Sequence, residues 1–591
     1  MIEASESPGS PAACTIDRQV WLKLYRSLAT AREIDRVERD YVRQGLAFFH
    51  AAASGHEGSA ALAPHLTTAD WLHCHYRDKA LLIERGVPVR EFFLSLFCKA
   101  ASHSAGRQMC AHLCARELNV LSIVGPVGNN ALQAAGIAMQ VKSQSERPIV
   151  VCSVGDGTAQ QGEFLEAVAQ AVREQLPVLF LIEDNRWSIS TPTAGRTFFS
   201  RPDGPASEFY GLPIDRLDGR DPVAAFHAFG VIVEEMRETR RPALVWMQVE
   251  RLTDHSNADD QTLYRDGAEI EAALRDADPV ANMRSRLVEM EIDPDVLKQI
   301  EEAVVTDVVA AAQAALAEPD PEPVFTGKRP LPAGEIERHR QPPVSGSGPE
   351  LTMGAALRAT LRHHLQSDER VVLFGEDIED PKGDVFGVTR GLSTEFPGRV
   401  QNSPLAESTI VGVSIGRALA GARPVAFLQF ADFLPLAFNQ IAAELGSIYW
   451  RTRGAWEAPV IVLISCGGYR PGLGPFHSQT FESLAAHIPG IDVVMPATAG
   501  DAAGLLNATF ASSRPTLFFY PKSCLNLSDQ STTVDIERHL VPLGSARKLR
   551  SGNDLTLVSW GYPVFLCERA ATALASAGVT CDVLDLRSLS P

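Results

Sequence analysis

Two short apolar runs, Ile149 to Val154 and Val178 to Glu183, bracket a segment of helical periodicity from Gly162 to Glu174, and each run ends in a polar turn. The first turn is Gly155-Asp156-Gly157 and the second is Asp184-Asn185. Runs this short and rich in β-branched residues read as buried parallel strands, and a parallel pair needs a crossover helix between its members. The order strand, tight acidic turn, helix, strand, polar turn therefore sets Asp156 and Asn185 at the carboxyl ends of neighbouring strands. Open α/β sheets bind ligands at that edge. A carboxylate, a carboxamide oxygen and a nearby backbone carbonyl form a hard-oxygen set suited to magnesium, which keeps diphosphate oxygens in its remaining positions. Glycines on either side of Asp156 allow the backbone to approach those phosphates. Asp-Gly alone is common turn chemistry, so the pairing with Asn185 carries the reading.

The same alternation runs through the rest of the chain. Ahead of residue 316 it includes a strand at Leu244 to Val249 and a helix at Pro222 to Thr239. Beyond residue 350 it includes strands at Val371 to Phe374, Pro424 to Leu428, Val460 to Ser465, Asp492 to Met495 and Thr516 to Phe519. Between them, residues 316 to 350 are rich in Pro, Gly and charge with no apolar period, which marks a linker or crossing segment. A chain of 591 residues requires several cores. The expected fold class is α/β, with two successive units built on mostly parallel sheets covered by helices. A formal charge of −18 argues against a nucleic-acid surface. Ten Cys without a dense framework read as reduced thiols of a cytoplasmic protein. The N-terminus, MIEASESPGSPAAC, has neither signal nor transit character, and the apolar runs are too short to span a bilayer, so no membrane role is expected.

Gly155-Asp156-Gly157 followed by Asp184-Asn185 resembles the GDG…NN signature of thiamine diphosphate enzymes. The first Asn of the family's terminal pair is Asp184 here, while the family's metal ligand matches Asn185; the third ligand, a backbone carbonyl, falls on Trp187. Further pieces of the first half, HYRDKALLIERG (75 to 86), GRQM (106 to 109), GPVGNNALQAAGIA (125 to 138) and HSNADD with Tyr264-Arg265 downstream, resemble the α subunit of the decarboxylating first component of 2-oxoacid dehydrogenase complexes. The second half resembles its β subunit through FGEDI (374 to 378), Ser403-Pro404-Leu405-Ala406-Glu407, FADF (430 to 433), HSQ (477 to 479) and PGIDVVMPATAGDAAGLL (489 to 506). The resemblance implies a fused chain: an α-subunit-like unit over 1 to 330, a linker over 331 to 350, and a β-subunit-like, pyrimidine-binding unit over 351 to 540. Residues 541 to 591 correspond to a transketolase-type C-terminal domain of which most is expected to be missing.

The resemblance also assigns roles. Tyr76 and Arg77 match the diphosphate-binding pair, and a guanidinium fork suits phosphate oxygens. Val127 matches the residue whose backbone holds the aminopyrimidine, and Phe430 falls among the cofactor-binding positions with Gly155, Asp156, Gly157 and Asn185. Glu407 matches the Glu that bonds the aminopyrimidine; read without the family, it is a carboxylate complementing a helix N-terminus. The helix it opens carries Gly412, Gly416 and Ala420 at four-residue intervals, a smooth face for close packing. His255 and His477 match proton donors or acceptors, with unperturbed pKa values near working pH. A bland alternative for His477 is a buried ring bonded to a backbone carbonyl. Asp254 stands where relatives carry Gly or His, and Ser256 falls on a position phosphorylated in some of them.

Two rival constellations weigh less. Cys110, His112 and Cys114, with His73, Cys74 and His75 upstream, fit no common zinc spacing. No Gly-x-Ser-x-Gly elbow follows a strand, which removes a serine hydrolase. The implied activity is oxidative decarboxylation of a branched-chain 2-oxoacid or pyruvate, with thiamine diphosphate and magnesium as cofactors. The acyl group then passes to the lipoyl group of a dihydrolipoyl acyltransferase partner. Fused halves imply a homodimer where relatives form α2β2 tetramers. The alternatives are a transketolase-like or acyloin-forming carbon ligase and a silent binding homologue; intact Asp156, Asn185 and Glu407 argue against the last.

Overall fold

The computed structural model describes residues 17–323, 346–469 and 472–590. In the first half the strands of the main sheet are Trp71–His73 (β1), Val150–Gly155 (β2), Val178–Asp184 (β3), Glu208–Phe209 (β4), Leu212–Asp218 (β5) and Ala243–Gln248 (β6). They form one sheet in the order β1-β2-β3-β6-β5-β4, parallel except at the β4/β5 edge. Along β2 and β3 alternate side chains enter different cores. Val150, Cys152, Val154, Val178, Phe180 and Ile182 face one side, and Val151, Leu179 and Leu181 the other. Both faces are apolar because helices cover both, as a parallel sheet requires. Arg18–Arg43 (α1) packs in the second of these cores, whereas Asn130–Val141 (α2) and Gly162–Glu174 (α3) pack in the first.

The second half repeats the plan. Val371–Gly375 (β7), Val400–Asn402 (β8), Arg423–Leu428 (β9), Ile461–Cys466 (β10), Asp492–Val494 (β11) and Thr516–Pro521 (β12) run parallel in the order β8-β7-β9-β10-β12-β11. A third, smaller sheet holds Arg547–Arg550, Leu555–Ser559 and Cys581–Asp585, with the helix Pro563–Ala575 against it. Ser588–Ser590 then returns antiparallel to β11. Most of the predicted linker, 331 to 350, lies outside the described residues. At its far end Gly346 N and Leu351 N donate to the Thr533 and Thr532 carbonyls at 2.8 Å each. No helix among the described residues is long and apolar enough to cross a membrane.

The two halves meet where α2 crosses Glu407–Leu419 (α4). A Cβ on Gly136 would lie 2.1 Å from the Val413 carbonyl oxygen, and one on Gly416 would lie 2.0 Å from that of Gln133. No larger residue lets these backbones approach so closely. One core of buried residues, including Leu132, Ile137, Ile410 and Val413, runs through the junction. Polar contacts flank it: Thr409 donates to Glu166 on α3 at 2.7 Å, and Gln440 donates to the Asn129 carbonyl at 3.0 Å and to Glu163 at 2.8 Å.

Candidate active site

Parallel pairing of β2 with β3 sets Gly155 opposite Glu183. The residues that follow, Asp156 and Asp184, therefore leave the sheet side by side, with Asn185 next. All three are buried. Asp156 accepts hydrogen bonds from Gly157 N and the Thr193 hydroxyl, both at 2.9 Å. Asp184 accepts from Trp246 Nε1 and Arg186 N at 2.8 Å each. Burial, and then the facing Asp184 carboxylate, push Asp156 well up from the ordinary carboxylate range. Such a pair wants a cation. Of the two glycines flanking Asp156, only Gly157 is sterically required: a Cβ there would lie 2.3 Å from Ser188 Oγ, while at Gly155 the nearest atom is 3.6 Å away.

These groups open into a cavity of about 390 Å³. Tyr76, Arg77, Val127, Gly155, Asp156, Gly157, Asn185, Trp187 and His255 all line it, drawn from loops as far apart in sequence as the β1 end and the segment after β6. Arg77 is 2% exposed. Its guanidinium donates to the Ala52 and His255 carbonyls and, at 2.9 Å, reaches His255 Nδ1. Among the described residues no carboxylate forms a direct ion pair with it, although its charge is felt by the buried Glu183 carboxylate. The loop carrying His255 is tied down: His255 N and Tyr264 Oη both donate to Asp259, and Arg251 donates to Tyr264 Oη. The departure at Asp254 serves this loop, since its carboxylate accepts from Gln261 N at 2.9 Å. His255 itself does not titrate near working pH, contrary to expectation: burial, then Arg77 and Arg251, hold its ring down at about 4. The ring is neutral, with Nδ1 accepting from Arg77 and Nε2 carrying the hydrogen.

Sequence reasoning missed a second layer. His56 also lines the cavity, with Nδ1 2.5 Å from Glu183 Oε2 and Nε2 3.0 Å from Asn185 Nδ2. Its partners lie 127 and 129 residues away in sequence, so no local spacing marks it. Glu183, fully buried, is pushed up to about 7 by burial and faces Asp78. Asp78 in turn accepts from His75 N at 2.9 Å and from Ser153 Oγ. Beneath the same loop, buried Lys79 pairs with Asp35 at 2.6 Å and with Glu38, and Asp35 also accepts from Ala53 N and Ser54 N. Asp35, Glu38 and His50 cluster closely enough to suggest a metal site, but the Lys79 ammonium already supplies the cation.

The remaining predicted residues belong to the second half and do not line this cavity. Glu407 opens α4, nearly buried, and burial pushes its carboxyl up. Glu376, also up at about 7 through burial and then the Glu407 charge, is its neighbour. α3 starts at the cavity edge, where Gln161 is a lining residue, and Glu166 holds Thr409 about 7.5 Å further along the helix axis. His477 is half-buried with its ring against Phe430, centroids 4.8 Å apart, and Lys522 Nζ sits 4.6 Å over the same Phe430 ring. Cys110 donates its thiol to the Phe49 carbonyl, and the His112 ring bonds the Cys110 carbonyl.

The donor set fits a diphosphate with a divalent cation: a guanidinium, a carboxylate crowded by the Asp184 charge behind it, and a carboxamide meet in one cavity. The family model for the dehydrogenase E1 component matches residues 25–324, that for the transketolase pyrimidine binding domain 349–527, and that for the transketolase C-terminal domain 544–591. The 2-oxoisovalerate dehydrogenase subunit beta of Bacillus subtilis (strain 168) is 39% identical over 237 residues, covering 40% of this chain and 71% of that protein. The pyruvate dehydrogenase E1 component subunit beta of Leifsonia xyli subsp. xyli is 40% identical over 242 residues, 41% of this chain and 70% of that protein. The acetoin:2,6-dichlorophenolindophenol oxidoreductase subunit beta of Cupriavidus necator is 34% identical over 252 residues, 41% of this chain and 73% of that protein.

Proposed function

Because the chain belongs to the thiamine diphosphate-dependent 2-oxoacid dehydrogenase E1 family, with α- and β-subunit regions in one polypeptide, we propose that it decarboxylates a branched-chain 2-oxoacid or pyruvate and passes the acyl group to the lipoyl group of a dihydrolipoyl acyltransferase. The observation that carries this reading is the β2/β3 register, which brings Asp156 and Asn185 together in a cavity that also holds Arg77, with Asp184 behind Asp156. Arg77 would bind diphosphate oxygens with Tyr76 beside it. Asp156, Asn185 and the Trp187 carbonyl would hold magnesium against the same diphosphate. Bound thiamine diphosphate supplies the electron sink that lets carbon dioxide leave. Val127, on the cavity wall, would support the pyrimidine end. Glu407 would hold and release a proton at its carboxyl oxygen, a task that suits a carboxyl raised by burial. His255, neutral and with Nδ1 accepting from Arg77, would present its Nε2–H as a hydrogen-bond donor at the substrate end, and His477 beside Phe430 would serve the acyl-transfer step.

The domain division at 330 to 350 belongs to this reading, as does a homodimer with two sites; a monomeric, fully active species in sedimentation would contradict the latter. The test of function is carbon dioxide release from 2-oxoisovalerate and pyruvate with an artificial electron acceptor, repeated with a lipoyl domain. Release with the dye and acyl transfer with the lipoyl domain is the expected result, and absence of release from either acid sinks the proposal. The acetoin-named relative favours a second reading within the acyloin alternative, oxidation of acetoin, which predicts dye reduction by acetoin without a lipoyl requirement.

A further inference from the structure

The metal-facing carboxamide of Asn185 is ambiguous in itself, because it presents an oxygen one way round and an NH2 group the other. Only the oxygen can hold a cation. The surroundings of Asn185 remove the ambiguity. Trp187 N donates to Asn185 Oδ1 at 3.0 Å, leaving that oxygen a second lone pair. On the other side Asn185 Nδ2 meets His56 Nε2 at 3.0 Å. An NH2 group can only donate, so His56 Nε2 must be the bare nitrogen of the ring and Nδ1 must carry the hydrogen. Nδ1 is aimed at Glu183 Oε2, 2.5 Å away, an acceptor for that hydrogen. The chain therefore has one direction, from Asn185 N–H to His56 Nε2 and from His56 Nδ1–H to Glu183. His56 is 1% exposed and Glu183 is fully buried, so water does not compete for either contact.

We propose that His56 is a positioning residue, held by Glu183, that fixes the Asn185 carboxamide with its oxygen toward the cavity and its divalent ion. The proposal rests on reading the cavity as the metal and diphosphate site. Outer partners of metal ligands set ligand orientation in this way. Loss of one typically weakens metal binding by about 10–100-fold.

The test is a Mn²⁺ titration followed by electron paramagnetic resonance, in the presence of thiamine diphosphate and without substrate. His56→Leu is expected to weaken Mn²⁺ binding about 10–100-fold. His56→Gln, whose amide offers an acceptor to Asn185 and a donor to Glu183, recovers most of that loss. The discriminating arm is Asn185→Asp. A carboxylate presents oxygen either way round, so adding His56→Leu in that background costs no further affinity. Circular dichroism of each variant checks that the fold survives. Unchanged affinity in folded His56→Leu, failure of His56→Gln to recover, or an equal loss in both backgrounds would each overturn the proposal, the last by showing a general structural role. If the parent itself binds no Mn²⁺ with thiamine diphosphate, the reading of the cavity fails first and takes this inference with it.

Discussion

Substituting Gly136 by Ala tests how the two halves are joined. Within a helix the change ordinarily stabilises, by about 1 kcal/mol in propensity. Here the added methyl would lie 2.1 Å from the Val413 carbonyl oxygen. Ordinary contact begins at 3.4 Å, so α2 and α4 must part by about 1.3 Å along that line. Neither side can yield by rotating a side chain, because the obstacle is backbone on both helices. Overpacking of a core costs about 1–3 kcal/mol, and backbone on both sides places this site at the upper end. The net expectation is a loss of about 2 kcal/mol. Gly267→Ala is the control: it opens the helix Gly267–Asp276 with nothing within 4 Å of the new methyl. It should gain about 0.4–1 kcal/mol. Calorimetric unfolding at one scan rate reads the sign, and hydrogen exchange over 130–141 and 407–419 reads whether the crossing loosens. Stabilisation of Gly136→Ala to the same degree as the control would refute the close-contact argument.

Other outcomes follow from the site. Asp156→Ala should abolish magnesium-dependent binding of thiamine diphosphate, because the neutral ligands left cannot offset the diphosphate charge; unchanged calorimetric affinity would remove the metal assignment. Glu407→Gln should keep cofactor binding but stop deuterium exchange at the thiazolium carbon. If Glu407 serves only the helix dipole, the variant instead loses about 1 kcal/mol or less of stability and exchanges normally. Lys79→Met strands two buried carboxylates and should cost about 3–5 kcal/mol at neutral pH. The sign with pH follows from Asp35. Burial pushes its carboxyl up, and Lys79 more than offsets this in the parent. That stabilisation is present above the ordinary carboxylate range and is lost as pH falls through the depressed value. Without Lys79 the burial of Asp35 is opposed only by His50 and the Ser54 hydroxyl, its carboxyl takes up a proton more readily, and the deficit against the parent narrows from pH 7.5 to 5.5. A deficit constant across that range would count against the buried ion network.

The central β2-turn-α3-β3 unit was legible because its strands are continuous apolar runs and its turns pair an Asp between glycines with an Asn. The nine first-half residues chosen for the cofactor and metal do share one cavity. Short strands escaped notice: Trp71–His73 and Val400–Asn402 span three residues each, too few for a period, and exist because a longer parallel neighbour pairs with them. Leu212–Asp218 alternates poorly between buried and exposed positions, so its pattern does not announce a strand. His56 and Glu183 were invisible for a different reason. Their meaning lies in a contact across the sheet edge, and a lone His in a Ser/Gly loop carries no spacing that foretells it. His255 shows the converse: its identity pointed to a titrating group, while its burial beside two guanidinium groups could not be read from the sequence.

The crossing of α2 and α4 also sets a timetable for the making of the protein. Gly136 and Val413, which meet across it, lie about 280 residues apart. Ribosomes add about 5–20 residues per second, so the first half waits on the order of 15–60 s between the emergence of one surface and its cover. Through that interval the glycine and alanine face of α2 stands bare. Separate subunits would have to find each other by diffusion after release, at a rate set by their concentrations. In a single polypeptide the cover always arrives, in equal number and on the same tether, and the interval of exposure is fixed by translation alone.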